Sequence, residues 1–454
     1  VPGARVLTLR DALAIAYATN REMLGRKESL HLQALSLAGV RHSYTPQLSM
    51  VLSYLFDETP GSRDSNAGSA SFSASQVLPF GGDLSVSASS SAGALEGSSA
   101  SYGSLLSVRL TQPLLRGAGN EVAWEGLRQA ERDLVYSIRD FELFREDFSI
   151  RVAQSFYDLV NRKQSIVNLR RNLDSSVFAL RKAEAFFAVG REGINELEVL
   201  RARRSELGAR NDLLEAEEGI ELALDRFRIF LGLPEQERVD VQPDPPPFTA
   251  VQYDVESAVE VALANRLDYL SRREQLEDVE RGLRISRNRL LPDLNLSTGL
   301  SYGTSAGADR IGGADLDRTN LDLSVSLEVP IDRVSERNAY RSAQIGLEQS
   351  RRALTEFEDE LAISIRSSFR ELDRRLESLE IQRQLIGDQT KQLRIAELLF
   401  ERGENQNRDV VEANQGLLDA QNRLIDEQVS YEIARLQLLR DLGILFIDEQ
   451  GMWK

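Results

Sequence analysis

The chain has no cysteine, only two histidines and three methionines, and no apolar run approaching a membrane-spanning helix. Without cysteine there are no disulfides, thiolate nucleophiles, cysteine-ligated zinc or iron–sulfur clusters, and no cysteine lipid acceptor in the sequence as given. His31 and His42 are too few and too far apart for a histidine metal site, so no metal and no cofactor is expected. Basic charge is outweighed by acidic charge. The 55 Lys and Arg stand against 71 Asp and Glu, a net charge of −16, which argues against a nucleic-acid partner. Lacking about 18 consecutive apolar residues, the chain is not a helical-bundle membrane protein; a β-barrel remains open. Catalytic signatures are missing too: there is no Walker loop, zinc-protease helix or nucleophile elbow. The Gly117–Val122 segment lacks the last glycine of a dinucleotide loop, and an enzyme is not expected. Val1-Pro2-Gly3 does not open like a signal peptide, so any leader is expected to have been removed or left out.

What the chain does contain is a duplication. Ala12, Ala16, Ala18 and Leu24 fall on Ala258, Ala262, Ala264 and Leu270 at a constant shift of 246, which also carries Pro46 onto Pro292. Ten apolar residues from Phe141 to Phe187 fall on ten from Leu354 to Phe400 at a shift of 213, and Gly232 matches Gly443 at 211. Each half reads as short helix, medium helix, strands, very long helix, long helix. The resulting segments are 1–45 (short and medium helices), 46–113 (strands), 114–232 (helical hairpin) and 233–254 (Pro-rich linker). The second half follows as 255–291, 292–330 and 331–443, with a tail at 444–454. Apolar steps of three and four, with sevens at Leu379, Ile386 and Leu393, are those of coiled-coil packing. The long helices, over about 120–189 and 336–402, would each be roughly 100 Å long.

Between the helices the period changes to two. Leu48, Met50, Leu52, Tyr54 and Phe56 alternate with polar residues, as do Leu106, Val108 and Leu110. Leu294, Leu296, Leu300 and Tyr302 form a third stripe, and Leu321, Leu323, Val325, Leu327 and Val329 a fourth. Strands of this length suit a tilted transmembrane barrel; a soluble antiparallel sheet with one face in a core is the plainer alternative. Pro46, Pro113, Pro292 and Pro330 mark the strand ends, where a residue without an N–H suits a strand–helix junction. The fold class is therefore α+β.

The tandem Thr8–Ala16 segment, Leu291–Leu296, Thr111–Gly117 and the duplicated order of helices and proline-marked strands resemble the TolC family of outer-membrane efflux proteins over essentially the whole chain. The resemblance implies a homotrimer in the bacterial outer membrane: strands from three chains close one β-barrel in the lipid, continuous with a periplasmic α-helical coiled-coil barrel. It further implies a passive conduit of a tripartite efflux or type I secretion system. Its partners would be a periplasmic membrane-fusion adaptor and an inner-membrane transporter of the ABC, RND or MFS class. One chain has too few strands to close a barrel alone, and lipid does not tolerate an open sheet edge. A soluble or periplasmic coiled-coil scaffold is the rival reading; it leaves the alternating strands unexplained.

The sequence departs from the family in one respect. A usual member contributes four strands, yet Pro46 to Pro113 spans 67 residues and Pro292 to Pro330 only 38. The excess fits an extra hairpin at about 69–92 around the Pro79–Gly82 turn, in a stretch where Ser makes up 16 of the 46 residues from Ser62 to Ser107. Two placements stay open: in the barrel wall, giving eighteen strands, or outside it as an extracellular hairpin.

The resemblance also assigns site residues. The turns after the long helices, at Val189, Gly190 and Arg191 and at Arg402, Gly403 and Glu404, would meet the adaptor, although Arg402 replaces a small apolar residue. Asp409 and Glu412 stand three apart and share a helix face. A solvated acidic face is the ordinary meaning of such a pair; in the family the matching positions form the pore constriction, with Arg408 a candidate latch to a neighbouring helix. The first-half equivalents are Glu198 and Arg201. Asp309, Asp315 and Asp317 lack EF-hand spacing and read as an exposed loop.

Overall fold

A computed structural model of the chain describes residues 4–58, 65–95, 99–190, 195–244, 246, 254–304, 319–402, 404 and 407–453. The chain divides into two compact units, one of Val1–Glu28, Arg139–Leu270 and Phe357–Lys454, the other of Ser29–Ile138 and Ser271–Glu356.

The second unit is built around a sheet. Its strands are β2 (Gln47–Asp57), β3 (Ser65–Val77), β4 (Asp83–Leu95), β5 (Ser101–Pro113), β7 (Asp293–Gly303) and β8 (Thr319–Glu328), all antiparallel in the order β2-β3-β4-β5-β7-β8. Because side chains alternate along a strand, the register sorts the residues into two unlike faces. One carries Leu48, Met50, Leu52, Tyr54 and Phe56 beside Phe72, Val86, Leu106, Leu300, Leu321 and Leu323. All of these but Val86 are exposed: Leu52 is 69% exposed, Tyr54 72% and Leu321 73%. The opposite face is rich in serine. Ser49, Ser73, Ser87, Ser107 and Ser301 face one another across five strands. Their hydroxyls bond in pairs, Ser49–Ser73 at 2.6 Å and Ser87–Ser107 at 2.7 Å. A soluble sheet would cover its apolar face; this one does not.

The extra hairpin, expected at about 69–92, is β3–β4. It lies within the sheet, paired along β2 on one side and β5 on the other. Its turn folds back at the end where strands pass into helices: Gly119 N donates to Phe80 O (3.1 Å), as does Gln112 Nε2 (3.1 Å). Gly81, at φ +89°, is required there, since a Cβ would strike the Gly117 carbonyl.

The first unit is helical. A short parallel pair, β1 (Arg5–Leu7) with β6 (Val239–Val241), escaped the sequence reading because three-residue strands show no period. After β1 comes α1 (Leu9–Thr19), opened by a capping box in which Thr8 and Asp11 bond reciprocally. Four helices contribute to both units: α2 (Arg21–Ser43), α4 (Glu125–Ala188), which the single turn α3 (Asn120–Ala123) precedes, α7 (Leu267–Asn288) and α8 (Val334–Arg402). Also helical are α5 (Glu196–Leu231), α6 (Val255–Asn265) and α9 (Asn407–Asp441). Neither α4 nor α8 contains a proline, and apolar positions at three- and four-residue steps give each one buried stripe. Phe148 and Phe156 of α4 sit in a core with Leu13, Tyr17, Phe227 and Leu231; Leu361, Ile365 and Leu379 of α8 sit in another with Ala258, Ala262 and Leu442.

The two cores end alike. Gly232 (φ +80°) closes α5 against the backbone of Thr19, and Gly443 (φ +68°) follows α9 against Asn265 and Arg266. Left-handed geometry and the absence of room for a Cβ both demand glycine at these matched positions.

Candidate functional site

Within the first unit, α9 starts at the second helix-hairpin turn and packs Val410 and Ala413 against Phe400 and Ala396 of α8. That burial points Asp409 and Glu412 elsewhere: Glu412 is exposed and Asp409 partly so. Arg408 lies 3.6 Å from Asp409, one residue along the same helix. Acids in the first turn suit the positive end of the helix dipole. The first coil is different at this level. Asn195 caps α5 by accepting from Glu198 N (3.1 Å), and Glu198 itself is 3% exposed, with Oε1 2.5 Å from Arg201 and Oε2 unpartnered. One coil thus buries its acid beside an arginine, while the other leaves two carboxylates accessible.

At the first turn Val189 is 77% exposed and Gly190 adopts φ +63° with open space around it. Arg402 ends α8, and Glu404 N donates to Leu399 O (3.0 Å); both side chains are exposed. Arg191 and Gly403 lie outside the described residues, as do Asp309, Asp315 and Asp317. Among the described residues no cluster of three metal-ligating side chains forms, and no helix is long and apolar enough to cross a membrane.

The two hairpins meet through contacts that hydrophobic periodicity did not reveal. Asn161, Asn168 and Asn172 of α4 bond to Asp426, Asn422 and Asn414 of α9, the central pair at 2.9 Å. Asn168 and Asn172 are 4% and 8% exposed; polar groups so buried need partners. Nearer the turns Lys182 bonds Glu401 (3.0 Å) and lies 5.5–5.9 Å from the rings of Phe178, Phe186 and Phe400. The seven-residue spacing of Asn161 and Asn168, with Asn172 four further on, was the available signal.

In the second unit the prolines occupy the ends of the sheet. Pro46 and Pro292 each precede a strand, Pro113 ends β5 and Pro330 follows β8. Leu114 N donates to Leu294 O (2.8 Å), Arg116 pairs with Asp293 (3.3 Å) and Arg333 Nε donates to Pro330 O (3.0 Å). Beside this junction Tyr44 stacks on Trp124 at 5.1 Å. Arg281 of α7, 5% exposed, reaches Glu125 of α4 and is braced by Asp278 on its own helix. Tyr136 donates to Asp278 (2.5 Å), and burial, then that carboxylate, pushes its hydroxyl up to about 12.

Comparison with known proteins agrees with this architecture. The profile of the outer membrane efflux protein family matches residues 258–443. The outer membrane protein TolC of Vibrio cholerae serotype O1 is 20% identical over 333 residues, 71% of this chain and 74% of its own. The pyoverdine export outer membrane protein OpmQ of Pseudomonas aeruginosa is 24% identical over 324 residues, 69% of this chain and 65% of its own. The crystal structure of VceC, from Vibrio cholerae, superposes with a TM-score of 0.72 at 15% identity, covering 96% of each chain. This last likeness carries the fold. That family is one of efflux channels, not enzymes.

Proposed function

We propose that this chain, a TolC-like outer-membrane efflux protein reaching into the periplasm, works as one third of a passive trimeric conduit. Pairing β2 of one copy with β8 of the next satisfies both open edges. Six strands from each of three copies close an eighteen-stranded barrel, with the apolar face toward lipid and the serine face toward water. The observation that carries this reading is the six-stranded sheet itself, whose apolar face is bare. Lipid is the solvent such a face requires.

The long helices of three copies would line the periplasmic part. Asp409 and Glu412 would supply six carboxylates at its constriction, attracting cations and resisting close approach by mutual repulsion. The turns at Val189, Gly190 and Arg191 and at Arg402, Gly403 and Glu404 would receive a membrane-fusion adaptor, which opens the constriction with energy from an inner-membrane transporter of the ABC, RND or MFS class. Efflux and type I secretion both fit such a conduit.

Planar-bilayer recording tests the constriction. Asp409→Ala with Glu412→Ala is expected to raise conductance and weaken cation selectivity; if neither changes, these acids do not line the narrowest point. Fractionation tests the whole: recovery in plain buffer as a monomer without pore activity would favour the scaffold reading.

A further inference from the structure

We propose that the middle of the strand section is a charge-free, hydroxyl-lined sleeve that sorts cargo by size alone, so that this sleeve passes bulky hydrated solutes of either charge. This rests on the barrel reading above and adds to it the class of cargo.

The register of the serine face fixes what lines the sleeve. Among the described residues, four successive rows across the sheet, from the one through Ser87 to the one through Gly93, hold no charged side chain. They hold Ser, Gly, Ala and Asn, interrupted by Val51, Leu55 and Leu105. Charge gathers toward the helical end instead, where Asp83 and Glu328 lie on this face. There Arg109 reaches Asp322 (3.9 Å) across Gly299, which stands between them in the register and has no side chain to intervene. Arg116 and Asp293 form a second pair. At the opposite rim Asp57 opens the next row.

Rings of one charge sign make a pore select ions; these rows supply none. Aromatic rings would give planar cargo a surface on which to stack, and the described residues of this face include none. A serine hydroxyl bonded to its cross-strand neighbour, as at Ser53–Ser69 (2.7 Å), keeps acceptor capacity for water. The wall is wetted yet holds no fixed counter-charge. Its side chains are short as well, which leaves the bore open. At about 4.8 Å between strands and a tilt of about 40°, eighteen strands give a backbone radius of ~18 Å, against ~12 Å for twelve.

The absence of native cysteine makes a single introduced thiol an unambiguous reporter. Ser87→Cys and Val86→Cys would be treated, in the trimer reconstituted in lipid, with cationic, anionic and polyethylene-glycol-bearing thiosulfonates. High salt would shorten the screening length to about 3 Å, so that distant loop charges drop out. Cys at 87 is expected to react with both charged reagents at rates within about twofold and to accept a polymer arm too wide for a twelve-stranded bore. Cys at 86 should be silent. Ser73→Asp beside Ser87→Cys should favour the cationic reagent, proving the assay sensitive to local charge. A tenfold bias at 87 without that aspartate overturns the neutral sleeve, and refusal of the polymer overturns selection by a wide bore; both leave the channel reading intact. Reaction at 86 with silence at 87 would instead overturn the assignment of faces, and the barrel reading with it.

Discussion

Glu146, on α4, has a carboxyl oxygen with no hydrogen-bond partner beside a cavity of about 250 Å³ lined by Leu143, Leu267, Gly443 and Ile447. Burial, and next the neighbouring Asp147, push its pKa up to about 8, against the pull of Arg440. The unfolded chain releases this proton near 4.5. Across that window the folded state holds more protons than the unfolded one, so stability falls as pH rises from about 4.5 to about 8, and the full cost of a buried charge is present above it. Glu146→Gln removes the titration. Melting of the purified protein should show the variant close to wild type at pH 5 and clearly more stable at pH 8.5; parallel curves would mean that the carboxyl ionises freely. Nothing in the sequence marked Glu146 among 71 acidic residues, because its environment is assembled from α4, the α6–α7 turn and the residues after α9.

For whole elements the sequence was a better guide. The helix expected over about 120–189 is the turn α3 followed by α4, and that expected over about 336–402 is α8, because long apolar stripes without proline admit little else. The extra hairpin was legible from alternation around the Pro79–Gly82 turn; its place in the sheet was not, since register is a property of the partner strands. Nor was the amide seam between α4 and α9, because asparagine carries no weight in a hydrophobic period. That seam makes a prediction of its own. Asn168→Ala leaves the half-buried Asn422 amide without its partner and should cost about 1–3 kcal/mol. Replacing both by Leu should recover most of that loss. A double-mutant cycle in chemical denaturant measures the coupling, and additive effects would show that the two amides are independently hydrated.

At the scale of the whole molecule, the candidate constriction was legible only in part. Asp409 and Glu412 could be picked out by their spacing, but a ring is a property of three copies, and one chain shows only that the two acids are accessible while Glu198 is not. The strand count can be tested by excision. β2 and β5 run in opposite directions, so removing Glu58 through Ser98 behind a short glycine turn leaves a four-stranded sheet. The shortened trimer should still insert, conduct less and refuse polymers that the full protein admits. An unchanged polymer cut-off would place the hairpin outside the wall.

The two flanks of the sheet, β2 and β8, have a kinetic corollary. A solitary copy entering hydrocarbon would strand on the order of ten amide groups along each flank, at several kcal/mol apiece. Partial insertion is therefore no resting place. If three copies close one barrel, as proposed, entry has to be collective, with copies meeting before or while they sink into the bilayer, and its rate should climb more steeply than in proportion to protein concentration. Diluted enough, the polypeptide would linger outside the lipid with nowhere to go.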